Sequence, residues 1–170
     1  MLKRLGKGLD KRAQETMGMP FGLIFTIMLI VLFIVIAFIV IKHFVSIGDC
    51  AKVGLFYNNF QTKVNEALES QSFSNVTFAV SLPSGVKKVC FGNLTAEITN
   101  PADFDAIHFY QFQDANMFLS PPEQACDMPY KLIKYINITR ITSSSNPYCV
   151  DVSKGLQIKK DFYDKRVIIQ

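Results

Sequence analysis

FGLIFTIMLIVLFIVIAFIVI (Phe21–Ile41) decides what kind of protein this is. Of its 21 residues, 17 are Phe, Leu, Ile or Val, and the other four are Gly22, Thr26, Met28 and Ala37. As a helix the run is roughly 31 Å long, about one hydrocarbon core. At roughly −0.4 kcal/mol per large apolar residue, insertion into a bilayer is favoured by at most about −7 kcal/mol. A helix of a soluble domain keeps one polar stripe, and this run has none. The segment is therefore expected to be a transmembrane helix. A cleaved secretory signal is the competing reading, with Ser46 and Gly48 as small residues before Asp49. Such a signal has an apolar core of roughly 7–15 residues, shorter than this one.

The flanks set an expected orientation. Lys3, Arg4, Lys7, Lys11 and Arg12 precede the run, against Asp10 and Glu15. Positive charge on the short side places that side in the cytoplasm. Of the 18 basic and 14 acidic residues, six and two precede His43, which leaves 12 of each beyond it. The net charge of +4 is thus a topology signal and not a footprint for nucleic acid. The expected organisation is a basic cytoplasmic tail (residues 1–20), the transmembrane helix (residues 21–41) and an extracytoplasmic α+β domain (residues 42–170). The lipid bilayer is the first expected partner.

Cysteine usage agrees with an outside location. Cys50, Cys90, Cys126 and Cys149 all follow the span, and an even number in such a domain suggests two disulfides. Spacing for a zinc site is lacking. Four cysteines allow three pairings, which sequence leaves open. A strand returning over an amphipathic helix keeps Cys50 and Cys90 apart, which argues against that one pair. Asn75-Val-Thr, Asn93-Leu-Thr and Asn137-Ile-Thr are glycosylation sequons on the same side.

Beyond the span, Cys50, Val53, Tyr57, Phe60, Val64 and Ala67 recur at spacings of three and four. This predicts an amphipathic helix to Ser70 whose apolar face covers the domain's own sheet. Gly48-Asp49 is a candidate break before it. Val76, Phe78, Val80 and Leu82 then alternate, which predicts a strand. Pro83-Ser84-Gly85 predicts a turn into a return strand over Val86–Phe91. Asn100-Pro101 predicts a capped helix to Phe112, and Ser120-Pro121-Pro122-Glu123 a second capped helix near Cys126. Tyr148–Ser153 and Leu156–Asp161 flank Lys154-Gly155 as a β unit. Ser143–Pro147 is expected to be a loop, and Arg166–Ile169 a last strand.

No catalytic constellation emerges. His43 lies at the edge of the span. His108, near Asp103 and Asp105, is the one candidate base. Phosphate loops, nucleophile elbows and HExxH are lacking. No enzyme activity, cofactor, metal or small-molecule substrate is expected. Gly18, Gly22 and Thr26 repeat every four residues and form a candidate helix-packing stripe toward a second copy or another membrane protein.

At Arg12-Ala13-Gln14, just ahead of the apolar run, the chain resembles the leader of archaeal type IV pilin-like proteins. The resemblance implies cleavage between Ala13 and Gln14. It also implies a hydrophobic helix continuing into an amphipathic half that packs on a small β domain. The chain is similar as well to small uncharacterised single-pass membrane proteins of archaea. Three functional readings follow: a membrane-anchored surface protein with a structural or interaction role, a filament subunit, or an accessory subunit of a larger membrane complex.

Overall fold

The computed structural model describes residues 11–70, 74–161 and 164–170, with side chains from Phe21 onward except that of Ser74. The expected tail before Lys11 lies outside the described residues. The chain divides into two compact units, the first ending at Ser46 and the second running Ile47–Gln170.

Helix α1 spans Lys11–Glu69, so Gly48-Asp49 does not break it. In the second unit its stripe is buried as the periodicity requires: Val53, Phe60 and Val64 are fully enclosed, with Phe56, Tyr57 and Ala67 nearly so. The strands form two antiparallel sheets. The first, ordered β1-β6-β7, contains β1 (Ser74–Phe78), β6 (Leu156–Lys160) and β7 (Ile168–Ile169). The second, ordered β4-β3-β2-β5, contains β2 (Lys88–Phe91), β3 (Met117–Ser120), β4 (Tyr130–Lys131) and β5 (Tyr148–Asp151).

One core joins α1 to both sheets. Phe60 sits at the junction, with its ring centroid 5.4 Å from Phe78 of β1 and 5.9 Å from Phe91 of β2. Burying a side chain of this size is worth about 3 kcal/mol. The alternation of a strand sorts the second sheet into two faces. Val89, Phe91, Met117 and Leu119 belong to the core beneath α1. Cys90 and Phe118 point the other way, into a smaller cluster with Leu94 and Ile107. The expected α+β architecture is present, with the amphipathic helix covering the domain's own strands.

Strand partners differ from the expectation. The segment read as a hairpin, Asn75–Leu82 with Val86–Phe91, contributes strands to two different sheets: Val76 faces Ile158 of β6, while Val89 faces Leu119 of β3 and Val150 of β5. Phe78 ends β1 by packing against Phe56 and Phe60, and the chain then crosses from one sheet to the other through Pro83. Likewise Tyr148–Asp151 and Leu156–Lys160 do not pair with each other. A short 3-10 turn, Val152–Lys154, redirects the chain into the other sheet. Gly155 follows it at φ 70°, and a Cβ there would stand 3.1 Å from the Phe78 carbonyl, so two reasons favour glycine.

Both capped helices are shorter than expected. Asn100 does cap α2, accepting from the Asp103 amide at 3.3 Å, with Pro101 at the first turn. But α2 ends at Phe104, and only a 3-10 turn, His108–Tyr110, follows. His108 Nδ1 donates to the Asp105 carbonyl at 2.8 Å, a local bond at the point where the helix gives way to the 3-10 turn. Ile107 is fully buried, while Phe109 and Phe112 stay exposed. At Ser120 the capping box is not formed. Ser120 ends β3, its carbonyl accepts from Lys87, and the 3-10 turn Pro122–Gln124 has Pro121 ahead of it with no side-chain cap. Helix α3 (Ile138–Ile141), capped by Asn137, and the strands β3 and β4 were not foreseen from the sequence.

Candidate functional site

The apolar span is the most distinctive surface of the chain. Every described side chain from Phe21 to Ile41 is exposed, Phe21 to 74%. An α-helix satisfies its main-chain groups internally, which is what a hydrocarbon environment demands. The one hydroxyl inside the run is also satisfied: Thr26 Oγ1 donates to the Gly22 carbonyl at 2.8 Å. Space around Gly22 is open, with nothing within 4 Å of a Cβ placed there. Gly22 and Thr26 are thus one turn apart on one face. The side-chain position of Gly18 lies outside the described residues. Among the described residues, one helix near the N-terminus is long and apolar enough to cross a membrane.

The four cysteines form two bonds. Cys50 of α1 joins Cys126, with Cα atoms 5.6 Å apart, and Cys90 joins Cys149. The second bond links residues directly opposite each other in the β2–β5 register. The structure does not pair Cys50 with Cys90, in keeping with the geometric argument from the sequence. Strand β2 turns Cys90 to the face away from α1, so Cys50 and Cys90 cannot meet. Sequence reasoning had no signal for the rest of the pairing, because β5 was assigned no partner in the second sheet.

The sequons occupy three settings. Asn75 is exposed on β1, an edge strand. Asn93 is exposed, and its Oδ1 accepts from both the amide and the hydroxyl of Thr95, at 3.2 and 2.8 Å. Asn137 is half-buried because its Oδ1 caps α3 through the Arg140 amide at 3.2 Å.

His43 is exposed within α1. His108 lies beside the rings of Phe104 and Phe109, with centroids at 6.0 and 4.0 Å and the planes tilted by 44° and 33°. Of the two nearby carboxylates, Asp105 is exposed and Asp103 is committed elsewhere, taking the Lys88 ammonium at 2.6 Å and the Asn100 amide at 2.9 Å. The bond to Asp103, reinforced by the charges of Asp103 and Asp151, outweighs partial burial and holds Lys88 above the usual lysine range. Burial pushes the Tyr57 hydroxyl well above the usual phenol range.

Among the described residues of the second unit, two of the clefts are well defined. One of about 420 Å³ is bordered by Arg140, Ser143, Ser144, Tyr148, Lys159 and Gln170. Its Arg140 is held by Asp161 at 3.0 Å and by Asp164. The other, of about 330 Å³, lies between Gly54, Tyr57 and Asn58 of α1 and the segment Asp127–Lys131. His108 borders neither. Among the described residues no group of three His, Cys, Asp or Glu side chains is placed to hold a metal ion.

Comparison with protein families, with curated proteins and with solved structures gives no match to this chain.

Proposed function

We propose that this is a single-pass membrane protein, with the N-terminal side cytoplasmic and residues 42–170 forming a disulfide-bonded α+β domain outside. Its role is structural or interactive, at the cell surface. The observation that carries this reading is the exposed apolar run Phe21–Ile41, whose exposure is costly in water and favourable in lipid. The excess of basic residues before the span supports the orientation, and two disulfides beyond it support an oxidising exterior. The test is carbonate extraction of membranes, followed by protease treatment of intact cells. The protein should stay with the membrane and its domain should be shaved from outside. A protein that washes off, or a domain protected until lysis, overturns the reading.

A second reading is favoured by one observation: α1 runs through Gly48-Asp49 without interruption, as the pilin-like resemblance requires. In that reading the chain is cut between Ala13 and Gln14, and the apolar helix packs with copies of itself in a filament. Sequencing of the mature N-terminus separates the two. A start at Gln14 supports the filament, and an intact Met1 removes it.

A further inference from the structure

We propose that Cys50–Cys126 is a reducible latch, opened in the folded protein by a dithiol reductant so that the loop between β3 and β4 comes away from α1, while Cys90–Cys149 stays closed. The two bonds differ in three respects. Cys126 holds φ at 54°, in the left-handed region that a residue with a Cβ avoids, so reduction lets that backbone relax. Cys50 and Cys126 are both partly exposed, so an attacking thiolate has access to the bond. Of the second bond only Cys149 is partly exposed, while Cys90 is fully buried beside Leu94, Ile107 and Phe118, so one of its two sulfurs is closed to attack. The β2–β5 ladder also keeps Cys90 opposite Cys149 whether or not the bond exists, which favours re-closure.

The loop between β3 and β4 is tied at both ends. Ser120 at the end of β3 and Tyr130 at the start of β4 anchor its two ends in the second sheet. Just outside the first of these, the Leu119 amide donates to the Pro129 carbonyl at 2.8 Å, closing the base of the loop. With the bond open, its remaining ties to the core are the buried Pro122, Ala125 and Pro129, the Met128 side chain packed on the core, and the Tyr57 hydroxyl, which donates to the Met128 carbonyl at 3.0 Å. The cleft of about 330 Å³ lies along this same seam, between α1 and the loop, and widens as the loop leaves.

One thiolate of the reductant attacks a sulfur of the pair, forms a mixed disulfide and expels the other cysteine as thiolate. The second thiol of the reductant displaces the remaining protein sulfur and leaves as part of a cyclic disulfide. Two electrons reach the protein, and the two protons released by the reductant end on Cys50 and Cys126.

The test uses the full chain in detergent micelles. Dithiothreitol is added without denaturant, samples are trapped with N-ethylmaleimide at intervals, and each cysteine is read by mass spectrometry after unfolding and a second label. The expected result is trapping of Cys50 and Cys126 at least tenfold faster than Cys90 and Cys149. Equal rates, the reverse order, or no trapping before the tertiary circular dichroism is lost would overturn the proposal. Hydrogen exchange on the selectively reduced wild type, and on C50S/C126S, then reads the movement. Exchange in residues 121–128 should rise at least tenfold with β2 and β5 unchanged. Unchanged exchange in that loop overturns the latch.

Discussion

The ammonium of Lys160 donates to the main-chain carbonyl of Leu68 at 2.7 Å, and to that of Ser70 at the same distance. The last carbonyls of a helix have no partner within it, and the helix dipole leaves them electronegative. A lysine 92 residues further along the chain, on β6, therefore closes the end of α1. Lys160→Met should destabilise the second unit by about 1.5–3 kcal/mol, the range for hydrogen bonds to a charged group. Urea unfolding of the full chain in detergent, followed by far-ultraviolet circular dichroism, measures it. A loss below about 0.3 kcal/mol would show that water replaces the lysine without penalty.

Phe60 is the packing centre between the two sheets. Phe60→Ala removes a fully buried ring and should cost about 3–5 kcal/mol. On the opposite face of the same helix Leu55 is 58% exposed, and Leu55→Ala should change stability by no more than about 0.5 kcal/mol. The pair of melting curves tests which face of α1 the domain uses.

Asn146 is buried, and its Nδ2 donates to the carbonyls of Asn93 and Glu97 at 2.8 and 2.9 Å. It thereby ties the loop before β5 to the segment after β2. Asn146→Asp replaces the two donors by a carboxylate facing two carbonyl oxygens. The charged form is penalised in the folded state, so the folded pKa rises above the unfolded value of about 3.9. The variant should be nearest to wild type below that value and should lose stability as pH rises through its folded pKa. Melting temperatures between pH 3 and 8 read the divergence. A constant gap across that range would sink the account.

Tyr57 gives the wild type its own alkaline limit. Its hydroxyl is buried and its pKa is raised, so the unfolded chain releases this proton near 10 while the folded chain keeps it. A raised folded pKa means that the stability is complete below the unfolded value and is lost above it. The expected slope is about 1.4 kcal/mol per pH unit above pH 10. Tyr57→Phe should remove that slope and cost about 1 kcal/mol at neutral pH through the lost bond to Met128. Unfolding between pH 9 and 11, with the two chains side by side, decides it.

Local pattern settled some features by itself. The run Phe21–Ile41 has no polar face under any tertiary arrangement, so its character follows from composition. The spacing of Val53, Tyr57, Phe60 and Val64 marks the buried side of α1, because helical geometry brings residues three and four apart together whatever they pack against. The Asn100 cap is likewise a local bond, made within three residues. The sequence also places four cysteines beyond the span.

Partners at a distance were decided by the tertiary structure. Alternating residues announce a strand but not the strand beside it, so β1 and β2 look like a hairpin and belong to different sheets. Met117–Ser120 is too short to show a period, yet it becomes the central partner of β2 because both of its faces are enclosed. The pairing of Cys50 with Cys126 and of Cys90 with Cys149 follows from those neighbours. So does the arrival of Lys160 at the end of α1, since an ammonium finds an unpaired carbonyl only after the chain has brought the two together.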